Sequence, residues 1–432
     1  MKEHTFDFWL GGNAIVKQIR FIHTADLHLD SPFIGLEQRL PPELFARIRE
    51  STFRSFHRII DEAIKREVDF VLISGDLFDG EDRSIKAQAR LQTEMNRLKQ
   101  HGISAYILHG NHDHLNGQWV SLELPSNVHV FSSQVEAIRH QTKAGAIVHL
   151  YGFSYDKRHV WERKINEYQK QDGADFHIGL LHGYEESGKS GHQPYAPFSV
   201  NDLLEKQFDY WALGHIHQTK ILHKDPYILY PGNIQGRHRK EIGAKGCYLV
   251  ELDQTGTRLE FIETADIQWK KEVMKLSEEE SFHSFFMRLK QMMEDNRQTN
   301  QGVMLEIQLE NEPNREIRDK ITSGELLEAL QDGEDLEDLN ESFVWVHRFI
   351  IDPQHPLKFK ENHPFYREFE KQTASLTKED WEEALSSLYF HYKTTRFLTD
   401  LTEDEKEEML EEAKRLIQEG LAEEGAISGE NF

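Results

Sequence analysis

Between Ile19 and Lys271 the chain repeats one unit: a strand-length apolar run, a polar cluster directly after it, then in several cases an amphipathic stretch. The runs "IRFIHT", "VDFVLIS", "ISAYILH", "FHIGLLH" and "FDYWALG" are rich in Val, Ile, Phe and Tyr and bounded by Gly or Asp, as buried strands are. Pro41 to Lys65 and Ser84 to His101 carry apolar residues at helical spacing between them. Strand, helix, strand, helix, strand at these lengths calls for right-handed crossovers and a mostly parallel sheet, an α/β fold. "YILYPG" and "CYLVELD" follow with no helix between them, which predicts a second, more antiparallel sheet.

The polar clusters constrain function as the runs constrain fold. Asp26 and His28 follow the first run, Asp76 and Asp79 the second, and Asn111 and His112 the third; His182 follows the fourth, and His215 and His217 the fifth. In an open α/β sheet the ligand crevice lies outside the carboxyl ends of the strands, so separate segments deliver these side chains to one place. Two carboxylates, an asparagine oxygen and four imidazoles, with no thiolate, suit manganese, iron or zinc. Seven donors exceed what one ion with an open position needs, but they suit two ions sharing a bridging carboxylate. Such ions, about 3.5–4 Å apart, clamp the attacking and leaving oxygens of a displacement at phosphorus.

A chain of 432 residues can bury more than one core. Residues 1–18 read as an unstructured leader without a signal-peptide cleavage site, and 19–270 as the catalytic domain. Two alternating runs, "VMLEIQLE" and "FVWVHRFII", flank a helical segment and define a small α+β domain over 271–355. Residues 356–432 read as an acidic helical tail. Within it Thr402 and Glu405 stand at capping-box spacing, Met409, Ala413, Leu416 and Ile417 share one face, and Gly420 ends the helix. That face suits core packing or the docking of a partner.

The net charge of -24, from 75 acidic and 51 basic residues, repels polyanions at long range. Nucleic-acid binding would therefore need a local basic patch, divalent metal or a partner. "NIQGRHRKEIGAKG" (233–246) offers Arg237, His238 and Arg239 as phosphate contacts. The single Cys247 excludes an intramolecular disulfide and fits a reducing cytoplasm. No run approaches the roughly 20 apolar residues of a membrane helix.

Asp-x-His, Gly-Asp, Gly-Asn-His-Asp, a lone His and Gly-His-x-His, in that order, resemble the motifs of the calcineurin-like metallophosphoesterase superfamily. Within it, "FIHTADLHLDSP", "ISGDLFDGEDRS", "ILHGNHDH", "ALGHIHQ" and "YPGN" resemble the SbcD-type DNA repair nucleases. The resemblance implies a four-layer α/β/β/α sandwich with a small α+β capping domain and a helical C-terminal tail. It assigns Asp26, His28 and His217 to one ion and Asn111, His182 and His215 to the other, with Asp76 bridging, and manganese as the metal. It implies 3′-to-5′ exonuclease and hairpin endonuclease activity on DNA. It further implies a homodimer whose tail helices grip an SMC-like coiled-coil ATPase. A small-molecule phosphodiesterase and a non-catalytic scaffold remain the alternatives.

His112, on this pattern, acts on the leaving oxygen and needs an orienting partner. Adjacent Asp113 points the other way in an extended segment. Asp79 stands where phosphatases of the superfamily keep the aspartate of an Asp-His dyad; archaeal-type double-strand-break nucleases carry histidine there, and this chain departs from them. His109 is expected to pack or to bond backbone, and His114 to lie in a solvated loop.

Overall fold

The computed structural model describes residues 17–389 apart from 34, 38–39, 81–82, 117–119, 187–194, 278, 312, 335–341 and 352–363, with scattered helical positions between 406 and 417. These residues fall into two compact units, the second holding the described residues from Ile351 onward together with 310–311. Most of the expected leader lies outside the described residues; Gln18 already belongs to a strand.

The first sheet is built on β1 (Gln18–Thr24), β2 (Phe70–Ser74), β3 (Ser104–Leu108) and β4 (Val128–Val130), paired in parallel. Its crossover helices are α1 (Pro42–Lys65) and α2 (Ile85–Gln100), close to the expected ranges. Pro41 precedes α1, where a residue without a free N–H costs nothing, and the Ser84 hydroxyl accepts from Ala87 N at 3.0 Å to cap α2.

The second sheet contains β5 (Glu136–Gln141), β6 (Ile147–Gly152), β7 (Phe176–His182), β8 (Tyr210–Gly214), β9 (Lys220–Lys224) and β10 (Tyr227–Tyr230). Its order is β5-β6-β7-β8-β10-β9, with β6, β7, β8 and β10 parallel. A short helix, α3 (Val200–Glu205), lies between β7 and β8 and opens with a capping box from Ser199 and Asp202. The expectation for the later strands is corrected here. "YILY" is β10 and pairs in parallel with β8, whereas "CYLVELD" lies in β11 (Gly246–Asp253), antiparallel to β1 in the first sheet. β12 (Gly256–Glu263) closes that sheet's edge as a hairpin with β11.

The sheets meet face to face through Phe21, Phe70, Leu72, Leu150, Ile178, Leu180, Tyr210 and Val250. Phe21 stacks on Phe70 at 5.1 Å and meets Tyr210 edge-on at 5.3 Å, so this seam fixes how the two sets of strand ends face each other. Helices α1 and α2 cover the outer face of the first sheet, and α3 that of the second, completing the four layers. Burying one such aromatic contributes roughly 1.5–3 kcal/mol.

A third sheet joins β13 (Ile267–Met274), β14 (Gly302–Leu309) and β15 (Phe343–Ile351), with α4 (Phe282–Asn296), α5 (Arg315–Thr322) and α6 (Glu325–Gln331) between the strands. The boundary expected at 270/271 falls inside β13, whose Ile267 and Trp269 pack with Leu44 and Ile48 of α1. This α+β element thus shares a core with the sandwich. In the second unit, α7 (Pro364–Ala374) and α8 (Lys378–Tyr389) are helical as expected. Met409 and Ile417 are exposed helical positions; Thr402, Glu405, Leu416 and Gly420 lie outside the described residues. Among the described residues no helix is long and apolar enough to cross a membrane.

Candidate metal centre

The carboxyl ends of β1, β2, β3, β7 and β8 converge. The loops after β1 and β2 are laced together by backbone bonds, Asp26 N to Gly75 O and His28 N to Asp76 O at 3.0 Å and Leu29 N to Leu77 O at 2.9 Å. Each loop turns sharply enough to place Asp26, His28, Asp76 and His215 at positive φ (51°, 42°, 50° and 104°). Such backbone costs of order 1–3 kcal/mol per residue and survives only where the surroundings hold it. Gly110 is required by crowding, because a Cβ there would stand 2.2 Å from Asp76 Oδ1 and 2.7 Å from His182 Nε2.

All seven expected ligands meet. Donor atoms of Asp26, His28 and His217 lie within 4.8 Å of one another, as do those of Asp26, Asp76 and His182. Asn111 Oδ1 is 3.0 Å from His182 Nε2 and 3.3 Å from His215 Nδ1. Asp76 Oδ2 lies 3.4 Å from His182 Nε2 and 3.9 Å from His28 Nε2, so one oxygen faces both groups, as a bridging ligand must. The backbone N–H of His215 donates to both Asp26 oxygens at 3.0 and 3.1 Å, aiming that carboxylate.

The hydrogen bonds outside this cluster decide what it can hold. His217 Nδ1–H donates to Glu241 Oε1 at 2.7 Å, which leaves its Nε2 to face inward, and His28 Nδ1 lies 3.1 Å from Asp79 Oδ1. The Nε2 atoms of His28 and His217 face each other at 3.0 Å. His182 repeats the pattern: Nδ1–H donates to Ser74 O at 2.9 Å, leaving Nε2 opposite the Asn111 oxygen and the Asp76 carboxylate. Imidazole nitrogens, an amide oxygen and carboxylates gathered this closely are the donor types that bind divalent transition ions. The donor chemistry therefore fits two divalent ions.

Electrostatics separate the imidazoles: His182 favours the protonated form, whereas His28 and His215 favour the neutral one. Burial works against a charged His182, yet the Asp76 and Asp26 carboxylates outweigh it and push the ring up to about 9. Burial pushes Asp26 up to about 6 against the pull of His182 and His217. Burial holds His28 and His215 down near 3, so they stay neutral, as ligands need to be.

The calcineurin-like phosphoesterase family matches residues 19–219. The chain is 38% identical over 411 residues to the metallophosphoesterase YhaO of Bacillus subtilis strain 168, covering 94% of this chain and 99% of that one. The chain is a calcineurin-like metallophosphoesterase. This metallophosphoesterase is also 24% identical over 262 residues to the DNA double-strand break repair protein Mre11 of Thermoplasma acidophilum, covering 57% of this chain and 66% of that one. A solved dimetal phosphatase from Danio rerio aligns with a TM-score of 0.33 at 11% identity, over 57% of this chain and 99% of that one.

Around this donor cluster of the metallophosphoesterase the structure redistributes several expected roles. His112 sits at the site, its ring 5.0 Å from that of His28, and its backbone N–H donates to Asp76 Oδ1 at 3.0 Å. The expected Asp79 carboxylate does not orient it. His112 Nδ1 instead donates to the Asp79 backbone carbonyl at 3.1 Å, because the carboxylate is taken by His28 and by a close ion pair with Arg237. The His28 contact and the Arg237 guanidinium hold Asp79 down near 2 against burial. Asp113 does not reach His112 either. It pairs with His109 Nδ1 at 2.9 Å and accepts from Leu77 N and Gly110 N, so His109 has a carboxylate partner where packing or a backbone bond was expected. His114 is buried, not solvated, and its carbonyl accepts from Arg83 Nη2 at 2.8 Å.

Of the expected phosphate contacts, Arg237 is at the site, while His238 and Arg239 lie exposed outside the donor cluster. Sequence reasoning missed Glu241. It is the one acid in the basic stretch 233–246, and that oddity was the available signal. Its second oxygen accepts from Asn233 Nδ2 at 2.8 Å and Arg237 N at 2.7 Å, tying that stretch to His217.

Proposed function

We propose that this metallophosphoesterase is a manganese-dependent DNA nuclease, trimming 3′ ends and opening hairpins. It works in the cytoplasm as a homodimer with an SMC-like coiled-coil ATPase. The observation that carries the reading is the similarity to the repair protein Mre11 over 262 residues, together with a complete seven-donor site. Exposed Met409 and Ile417, on the tail face expected to dock a partner, support the ATPase contact.

Asp26, His28, His217, Asp76, Asn111, His182 and His215 would hold the divalent ions, which would supply Lewis-acid stabilisation of charge on phosphoryl oxygens. The chain's own groups do the rest. The Asp79 carbonyl keeps a proton on His112 Nδ1, so Nε2 is the nitrogen left for the substrate and, as imidazolium, can protonate the leaving oxygen. Arg237, held on Asp79, adds a fixed positive charge beside His28.

The test is one panel on purified protein with manganese: end-labelled duplex, hairpin DNA, an aryl phosphodiester and cyclic nucleotides, each with wild type and His112→Ala. DNA cleavage that falls about 10²–10⁴-fold in His112→Ala is the expected result. Turnover of the aryl diester or cyclic nucleotides with every DNA untouched, candidate ATPase included, refutes the nuclease reading. Full activity of His112→Ala removes the acid assignment.

A further inference from the structure

A cleft of about 700 Å³ opens beside the metal centre. It starts at His217 and runs between residues 240–245 and the strand β13. Its lining includes Lys240, Lys245, Lys270 and Lys271 against two acids, Glu241 and Glu272. Glu241 is engaged by His217 and by two N–H donors, and its charge acts on Lys245. Lys245 is buried, its ammonium donating to the His217 carbonyl at 2.8 Å. Among the described residues neither Lys245 nor Lys270 pairs with a carboxylate, and Lys271 has only Glu306 at 3.9 Å.

This is unusual in a chain of net charge -24, and a second cleft shows the ordinary arrangement. That cleft, about 300 Å³, is lined by Arg20, Arg66 and Arg258, but each guanidinium there is matched by Glu251 or Glu260 at 2.7–3.3 Å. Its charge is spent internally. In the cleft at His217, Lys270 has no such carboxylate among the described residues and Lys271 only the distant Glu306, and a ligand there adjoins His217.

We infer that the cleft from His217 to Lys271 holds the phosphodiester backbone of a single strand flanking the cleaved phosphate, with Lys270 and Lys271 as its phosphate contacts. The subsite deepens the nuclease reading and rests on it for the substrate: it favours polynucleotides over isolated phosphodiesters. Its size suits a short stretch of strand rather than a duplex. Local cations also answer how so acidic a chain holds a polyanion.

The test measures binding apart from cleavage. A fluorescein-labelled, phosphorothioate-linked oligothymidylate is titrated with the full-length manganese-loaded protein at several salt concentrations, by anisotropy. Each single-strand phosphate contact contributes about 0.7 to the log–log salt slope, so Lys270→Ala/Lys271→Ala should flatten the slope by about 1.4. The advantage of wild type over that variant then grows about 7-fold as salt falls from about 200 to 50 mM. Lys270→Arg/Lys271→Arg should restore the slope. In cleavage, the ratio of oligonucleotide to aryl-diester kcat/KM should fall in the alanine variant. Equal slopes for wild type and the alanine variant overturn the inference, whether or not the strand is cut. A flattened slope in a protein that cuts no DNA sustains the cleft and removes only the nuclease reading.

Discussion

Glu241→Gln tests whether an outer carboxylate tunes the metal centre through a single imidazole. Glu241 is nearly buried, its side chain 9% exposed, and its two oxygens serve three donors: His217 Nδ1 at 2.7 Å, Asn233 Nδ2 at 2.8 Å and Arg237 N at 2.7 Å. The His217 hydrogen bond, with the nearby charges of Arg237 and His238, outweighs burial and holds the carboxyl well below the usual carboxylate range. Glutamine keeps the shape but turns one oxygen into an NH₂. If the NH₂ faces His217, Nδ1 must become an acceptor, the ring proton moves to Nε2, and the metal loses a donor. If the NH₂ faces the other way, it opposes the N–H groups of Asn233 and Arg237, at about 1–3 kcal/mol for each donor left unsatisfied.

Removing such a partner from a ligating histidine lowers metal affinity about 10–100-fold, or roughly 1.4–2.7 kcal/mol. The assay is manganese titration by chelator competition, with a thermal melt of the metal-free protein as a folding check. In a His217→Ala background the same Glu241→Gln change should leave manganese affinity unaltered, because the imidazole through which it acts is gone. Wild-type affinity in Glu241→Gln, or an equal penalty in both backgrounds, would refute the reasoning.

Three further outcomes follow from other parts of the fold. Gly110→Ala should displace the Asp76 carboxylate, since the new Cβ would meet it at 2.2 Å, and reduce manganese stoichiometry; Gly80→Ala, with no heavy atom within 4 Å of its Cβ, should not, as metal analysis of the two proteins would show. Asp266→Ala strips the carboxylate from Arg47 Nε (2.7 Å) and Arg58 Nη2 (2.9 Å) and should cost about 3–5 kcal/mol in urea unfolding, with Arg47→Met partly restoring it; an unchanged midpoint would contradict the buried pair. His23, fully buried between Tyr210 Oη and the Leu213 carbonyl, is held by burial at about 3 against an ordinary 6.5, so the unfolded chain binds the extra proton between those values. Stability is full above about pH 6.5 and falls as pH drops toward 3, by up to about 5 kcal/mol. His23→Gln should flatten that stretch of the stability–pH curve, and an unaltered slope would mean the ring is not the titrating group.

The seven donors were legible as one cluster because each sits directly after a strand; parallel pairing aligns the strand ends within each sheet, and the face-to-face seam brings the two sets together. Local periodicity identifies a strand but not its neighbour. β11, buried on both sides of its first five residues, looks the same from sequence whether it pairs with β10 or with β1, and it pairs with β1. Likewise the α+β element was recognisable from its two alternating strands, but its shared core with α1 depends on Leu44 and Ile48 meeting Trp269, a contact between segments far apart in the chain.

The orienting groups were the least legible, and for one physical reason. A ligand's identity is set by the ion, which sequence motifs reflect, whereas its orienting partner need only be any carboxylate or carbonyl at the right point. His217 takes Glu241, His182 takes the Ser74 carbonyl, and His112 takes the Asp79 carbonyl. Once His28 and Arg237 claim the Asp79 side chain, His112 is left with a neutral acceptor. A neutral carbonyl fixes the tautomer without stabilising the imidazolium as a carboxylate would. Asp79→Asn should therefore act chiefly through His28 and the metal, lowering manganese affinity, while leaving the His112 contribution intact. The loss caused by His112→Ala should be of similar size in the Asp79→Asn and wild-type backgrounds at saturating manganese; a loss that vanishes in Asp79→Asn would reinstate the carboxylate as the partner of His112.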